Sequence, residues 1–377
     1  MKSDKSTPNV PTLRFKEYYT NWQSTTLKNV CEYRKIRRTT EKKNYVSTEN
    51  IMQNFQGIER FISTEHISGD GFNKNDILMA NIRPYLKKVC FADFDGVCNA
   101  DVLVFNSKTI NPKFLYCVLA NDNFINYVMS SVKGSKMPRG DKNFIMQYPL
   151  SLPSETEQLK ISDFIECLTE RIKVQNKIIS KYESLIKGIR HIVFSSIDNR
   201  EQYPLGNFLN EYSEKNVANN LQSVAVGKYG IRKREDIYSK ELSTDYSKNK
   251  VIRKDTLIIG MGSTQIDIGI LVEDEKYCVS PAYTTYHISG INSFYLQEYL
   301  VELNQLLSVR YMITSARQGK AVNKNDLLRH ILTVHCLDEQ ERICKHFKSL
   351  YKRLQIEKEM LSALRKQKAF LLKSMFI

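Results

Sequence analysis

Residues from about 142 to 194 recur from about 324 to 376, so that Phe194 meets Phe376 at an ungapped displacement of 182. Lys142 and Asn143 meet Lys324 and Asn325, Leu150 meets Leu332, and Glu157 and Gln158 meet Glu339 and Gln340; Ile161, Leu168 and Arg171 meet Ile343, Leu350 and Arg353. A register held this long marks an internal duplication, and a duplicated chain builds its architecture twice. Ala100 matches Ala282 at the same displacement and Ile110-Asn111 matches Ile291-Asn292 one residue off, which extends the repeat into each half with small insertions.

Each repeat closes on a long helix. Ser154 precedes Glu157 by one helical turn and Asp338 precedes Glu341 likewise, the spacing at which a short polar side chain caps the helix start and a carboxylate reaches back. Beyond these caps Ile165, Ile172, Ile179, Ile186 and Val193 form one heptad row, and Ile161, Leu168, Gln175, Tyr182 and Ile189 the other. The second copy repeats this with Phe347, Leu354, Leu361, Lys368 and Met375 beside Ile343, Leu350, Glu357, Leu364 and Leu371. Heptad apolar rows are the pattern of a coiled-coil seam. Gln175 and Glu357 share one slot, as a register marker, a contact with another chain, or a loose edge. From Glu157 to Val193 the helix reaches roughly 55 Å at about 1.5 Å per residue.

Short apolar runs opened by an acid-containing turn, Asp76-Ile-Leu-Met-Ala-Asn-Ile82 and Asp255-Thr-Leu-Ile-Ile-Gly-Met261, together with Val102-Leu-Val-Phe105 and Tyr283 to Ile288, are expected strands, with helices expected over Pro112 to Val128 and Ser293 to Met312. The expected fold is mixed α/β (α+β): two globular domains in tandem repeat, 1–150 and 197–336, separated by two long helices, 151–196 and 337–377, that pair as an antiparallel coiled coil.

Lysine and arginine number 56 against 41 acidic residues, a net charge of +15, which favours a partner carrying phosphates. No apolar run of about 18 residues spans a bilayer. The opening residues lack the apolar centre of a secretory signal and the eight cysteines show no paired spacing, so reduced thiols and a cytoplasmic location are expected.

Catalytic motifs are weak. Gly260-Met-Gly262 lacks the third glycine of a dinucleotide fingerprint, and the alternating Ile266-Asp-Ile-Gly-Ile-Leu271 after it predicts a strand where that fold needs a helix. Gly134-Ser-Lys136 has neither the order nor the spacing of a phosphate loop. Asn111-Pro-Lys-Phe114 is one residue from the Asn-Pro-Pro-Phe turn of amino-methyltransferases, but it stands where a helix starts. His335-Cys336 and Cys344 with His346 are poor metal ligands, since 344 and 346 lie about 200° apart on a helix.

What remains is basic charge interleaved with aromatics and amides. In the first half these are Arg34, Arg37, Arg38, Arg83, Tyr85, Lys87, Lys88, Lys133, Lys136, Arg139 and Lys142. In the second they are Lys228, Arg232, Lys233, Arg234, Arg253, Arg317, Gln318, Lys320, Asn323 and Lys324. The loops from Lys133 to Lys142 and from Arg317 to Lys324 hold equivalent repeat positions. Lysines supply phosphate affinity, while Arg, Gln and Asn can pair with base edges, so each half is expected to grip a duplex.

Several stretches together resemble one family over nearly the whole chain. Pro11-Thr-Leu-Arg-Phe15 with Trp22 and Leu27, Leu152-Pro-Ser-Glu-Thr-Glu157-Gln158, Leu337-Asp-Glu339-Gln340, Phe194, Phe376 and Asn81-Ile-Arg83-Pro-Tyr85 are similar to pieces of the specificity subunit of type I restriction-modification systems. Pro153 stands alone where the family often has two prolines, and the His335-Cys336 entry is less typical. The resemblance implies two target-recognition domains, each reading half of a bipartite double-stranded DNA site, and helices that set the gap and bind two methyltransferase subunits. Ile165, Ile172, Gln175, Ile179, Phe347, Leu354, Glu357 and Leu361 are the expected spacer and partner positions. It further implies motor-nuclease subunits as partners and no membrane partner. No cofactor is then expected on this chain, S-adenosylmethionine and ATP belonging to the partner subunits. The competing readings are a coiled-coil scaffold with basic heads for RNA or an acidic protein, and an uncharacterised DNA methyltransferase.

Overall fold

The computed structural model describes residues 10–60, 63, 65–132, 134, 136–195, 201–227, 230–234, 237, 245–315 and 319–377. Two long helices form, Glu155–Ser195 and Leu337–Ser374, with 41 and 38 residues. At about 1.5 Å per residue each approaches 60 Å. The chain divides into two compact units: Met1–Lys177 with Lys358–Ile377, and Ile178–Glu357. Each unit therefore holds one globular head, the start of that head's own long helix and the end of the other long helix.

In the first unit the strands Cys31–Tyr33, Val102–Ser107, Ile77–Ala80 and Val89–Phe91 lie side by side in that order, all antiparallel. Successive strand residues face opposite ways. Leu78, Ala80, Cys90, Val102 and Val104 therefore pack on one side against Val46, Phe72 and Cys98 of a second sheet. Ile77, Met79, Val89, Leu103 and Phe105 pack on the other against Phe114, Ile161, Ile165 and Leu168, and against Leu364, Leu371, Met375 and Phe376 from the end of the second long helix. A sheet covered on both faces explains why its strands read as continuous apolar runs rather than as alternation.

The second unit repeats the plan. Leu209–Tyr212, Thr284–Ile288, Thr256–Met261 and Ile266–Leu271 form an antiparallel sheet of the same order. The run after Gly262 is a strand paired with Thr256–Met261, which makes the glycine pair a hairpin and removes the dinucleotide reading. Small two-stranded sheets, Gln23–Thr26 with Pro149–Leu152 and Glu201–Pro204 with Ile331–Val334, lead into the long helices.

One polar device recurs at both helix starts. The Gln158 amide donates to the Pro153 carbonyl at 3.1 Å and accepts from the Asn111 backbone at 3.1 Å. Gln340 does the same with the His335 carbonyl at 2.8 Å and the Asn292 backbone at 2.9 Å. Asn111 and Asn292 in turn cap the helices Pro112–Leu119 and Ser293–Tyr311, accepting from the amides of Lys113 and Phe114 and of Phe294 and Tyr295. This fixes a common register between each head helix and each long helix.

Three local expectations are corrected. The Pro112 helix does not run on to Val128; it stops at Leu119 and a second helix, Asp122–Ser130, begins after Asn121, whose side chain accepts from the Asn123 amide while its Nδ2 donates to the Leu372 carbonyl at 2.6 Å. Ser154 caps as expected, but Glu157 does not reach back, because its buried carboxylate is held by Arg14 in a two-pronged pair at 2.7 and 2.8 Å. Asp338 is not a cap, since the second long helix begins at Leu337 and Asp338 lies in its first turn.

The heptad rows form the seam. In the first unit Leu13 donates from its amide to the Ser374 carbonyl while Arg14 takes Glu157, so the end of one helix lies beside the start of the other, and Arg365 reaches Asn176 at 3.4 Å. The helices are antiparallel there. Every residue of both rows is buried or half-buried, including Gln175 and Glu357, which excludes a loose edge for that slot. Glu357 is paired with Arg353 at 2.7 Å. Lys368 is also buried, 9% exposed, with its ammonium 5.9 Å from the Tyr116 ring centroid. Burial drives its pKa below the ordinary lysine value, chiefly by desolvation. The folded state thus binds this proton less well than the unfolded chain, so stability rises with pH between the depressed folded value and the unfolded value near about 10.4. Lys368→Met is expected to raise stability at pH 7 by about 1 kcal/mol and to flatten that alkaline gain, measured by urea unfolding across pH.

Candidate nucleic-acid interface

In the first unit two loops carrying basic residues are bolted together. Ile82 bridges to Arg139, the Arg83 amide donates to the Pro138 carbonyl at 2.8 Å, and buried Asn81 donates from Nδ2 to the Gly140 carbonyl at 3.2 Å. Arg83 and Lys87 flank a short turn, Pro84–Leu86, and both adopt left-handed backbone, φ 52° and 55°. Asn54 and Phe55, at φ 56° and 59°, face this turn and donate from their amides to the Leu86 and Lys87 carbonyls at 3.1 and 3.0 Å. Left-handed backbone costs a non-glycine residue roughly 1–2 kcal/mol, and four such residues in contact concentrate strain where the chain presents side chains.

The turn sorts its side chains into supports and presented groups. Lys87 pairs with Asp122 at 2.8 Å and Lys88 donates to the Thr48 carbonyl at 2.6 Å, so both brace the turn. Arg83 and Tyr85 point outward, Tyr85 being 49% exposed, beside exposed Lys136 and Met137 on the neighbouring loop. Arg139 is exposed and pairs with Asp101 at 3.0 Å, a surface pair that a phosphate can displace at little cost. Lys142 is exposed at the start of the short helix Lys142–Ile145, which Asp141 caps.

Arg34 is reassigned. It is largely buried, holding Asp76 at 2.6 and 3.1 Å and Asn106 at 2.8 Å, so it supports the core rather than meeting a ligand. Arg37 and Arg38 sit exposed on the strand Arg37–Glu41 of the second sheet, where Arg38 donates to Asn73 at 2.6 Å. Lys133 lies outside the described residues.

In the second unit Lys228, Arg317 and Gln318 lie outside the described residues, and so does the side chain of Lys320, whose backbone is in the strand Gly319–Val322. That strand pairs with Met312–Ser315 and leads directly into Asn323 and Lys324. Asn323 is reassigned: it caps Lys324–Leu328, accepting from the Asp326 amide, the part Asp141 plays in the first repeat. Lys324 is exposed beside it. Arg232 and Lys233 are exposed on the hairpin strand Gly230–Lys233, with Arg234 half-buried just after it, whereas Arg253 is paired with Glu214 and lies over the Tyr212 ring. Sequence reading singled out Asn81 with its stretch but missed the supporting groups Asp101, Asn54 and Phe55, because none belongs to a basic cluster.

No group of three or more metal-ligating side chains gathers among the described residues. Cys344 donates to Asn292 Oδ1 at 3.3 Å and burial pushes its thiol up to about 11, while His335 shares a hydrogen bond with the Tyr295 hydroxyl at 2.8 Å. No helix among the described residues is long and apolar enough to cross a membrane.

The interlock of the two loops is testable through Gly140. A Cβ there would lie 2.9 Å from Val128 Cγ1 and 3.0 Å from Ile145 Cδ1. Gly140→Ala is expected to cost about 1–3 kcal/mol in chemical unfolding, with unfolding slopes unchanged.

Comparison with known proteins agrees with this architecture. Residues 19–184 match the type I restriction modification DNA specificity domain. The specificity subunit of the type I restriction enzyme EcoDI of Escherichia coli is 30% identical over 122 residues, 31% of this chain and 27% of that protein, so the match spans about a quarter of that curated relative. Two solved structures share the fold across almost their full lengths. One, from work on complex assembly and conformational transition of the type I R-M system, has a TM-score of 0.57 at 18% identity, covering 93% of this chain and 96% of that one. The other, the type I restriction-modification S subunit from M. genitalium, has a TM-score of 0.57 at 16% identity, covering 98% and 99%. With a DNA specificity domain matched over residues 19–184 and a mixed α/β fold shared with these structures, this chain is similar to the specificity subunits of type I restriction-modification systems.

Proposed function

We propose that this chain reads double-stranded DNA for a type I restriction-modification complex without catalysing chemistry itself. Each head, 1–150 and 197–336, reads one half of a bipartite site, and the long helices set the gap between the halves and dock two methyltransferase subunits. S-adenosylmethionine and ATP then act in the methyltransferase and motor-nuclease partners, in the cytoplasm. The observation that carries this reading is the match of residues 19–184 to a DNA specificity domain, on the unit that presents Arg83, Tyr85 and Lys136 from two interlocked loops. Arginine can make a two-pronged contact with guanine, tyrosine offers a flat face and a hydroxyl, and lysine supplies phosphate affinity.

The gap-setting role is supported by helix length. A rod near 60 Å exceeds the roughly 34–36 Å of one duplex turn, so it is long enough to hold two heads to separate half-sites. The partner-docking role is supported by apolar side chains left exposed on the first long helix, among them Leu185 and Ile192.

Methylome sequencing of host DNA with the gene intact and deleted tests the whole reading: one bipartite methyladenine motif should disappear, and an unchanged methylome with partner subunits expressed overturns it. Removing one heptad from the first long helix should change the number of unspecified bases and neither half-site. Within the first head, Arg83→Ala is expected to relax discrimination at one position by about 1–3 kcal/mol, whereas Lys136→Ala should weaken all duplexes alike and lower the salt slope by about one, both read by titration across salt.

A further inference from the structure

We propose that Arg190 is a key committing the tail of the first long helix to the second unit, and that it discourages two copies of the chain from exchanging these tails. The duplication creates the problem that this solves. Both units receive a helix tail on the same kind of face, and the anchor is shared: Phe194 packs edge-on to Tyr295 at 5.3 Å and stacks on Tyr299 at 4.6 Å in the second unit. In the first, the repeat-equivalent Phe376 packs on Phe114, the equivalent of Tyr295, at 5.3 Å. The common registers set by Asn111 and Asn292 make these positions correspond one to one. An aromatic anchor alone accepts either tail.

One turn before the anchor the two faces differ in kind. In the second unit Arg190 donates from Nε to Glu298 at 2.9 Å and from Nη2 to the Tyr351 hydroxyl at 2.7 Å, and that hydroxyl donates onward to Glu298 at 3.0 Å. The side chains of Arg190 and Glu298 are 13% and 2% exposed. The equivalent residues of the first unit are Leu372, Cys117 and Thr169. Leu372 and Cys117 are buried in one apolar cluster, and the Thr169 hydroxyl is spent on the Ile165 carbonyl at 2.9 Å. A first-helix tail on that face would bury the Arg190 guanidinium against a thiol and aliphatic carbons, where Glu166, the carboxylate that acts on Cys117, is half-exposed and already paired with Lys113 at 2.5 Å. Lys368, the cation the second helix does bring near Cys117, is buried, and desolvation lowers its pKa. Burying an unpaired charge is strongly unfavourable, whereas replacing a whole buried ionic group by apolar residues can be neutral. The triad therefore supplies pairing specificity more than net stability.

The test uses the full chain in three forms: wild type, Arg190→Leu, and the triple variant Arg190→Leu, Glu298→Cys, Tyr351→Thr, which gives the second unit the residues of the first. Arg190→Leu should melt clearly lower, because Glu298 is left buried without its cation, and the triple variant should melt near wild type. Two copies carrying different affinity tags are then co-expressed, and the share of one recovered with the other is measured. That share should rise several-fold in the triple variant over wild type. Wild-type melting of Arg190→Leu overturns the proposal. So does a folded triple variant that exchanges no more than wild type, which would leave the triad a structural contact only.

Discussion

The apolar seam of the two long helices is the constraint on which the structure depends. A lone helix cannot cover a stripe such as Ile161, Ile165 and Leu168, and helical propensity contributes little without packing. The stripe is covered when the tail of one helix lies along the start of the other. In the first unit Leu364, Leu371, Met375 and Phe376 join the same core as the central sheet, so the last residues of the chain complete the first domain. Sequence-distant segments are thereby structural partners: the Leu13 amide and the Thr12 hydroxyl both close on the Ser374 carbonyl.

Charge is used in two ways. Where Arg14 meets Glu157, Arg34 meets Asp76 and Arg190 meets Glu298, the pairs are largely buried and geometrically saturated, and they hold elements in place. Where Arg83, Lys136 and Lys142 stand in solvent, charge remains available to a polyanion. Composition cannot separate these classes, since a guanidinium counts the same whichever partner it finds. The net charge of +15 is a property of the sequence, and its usable part is a property of the fold.

Much of the architecture was legible because it is periodic. The displacement of 182 residues, the heptad rows and the strand-like runs all come from repetition at one spacing or another, and each corresponds to an observed element. Breaks in periodicity were harder. Asn121 interrupts a helix because its side chain finds both the Asn123 amide and the Leu372 carbonyl, and the second of these lies far away along the chain. Glu157 looked like part of a cap and became an ion-pair partner because Arg14 reaches it.

The sequence by itself determined that there are two repeats, that each ends in a long amphipathic helix, and that the chain is strongly basic, because these depend only on order and composition. The tertiary structure alone decided which cations are braces and which are presented, and which residues of each repeat complete which core. Lys88 and Arg83 are near neighbours of like charge in sequence, yet one donates to the Thr48 carbonyl and the other extends from a left-handed turn. The distinction rests on distances between segments far apart in the chain, and no local pattern encodes a distance.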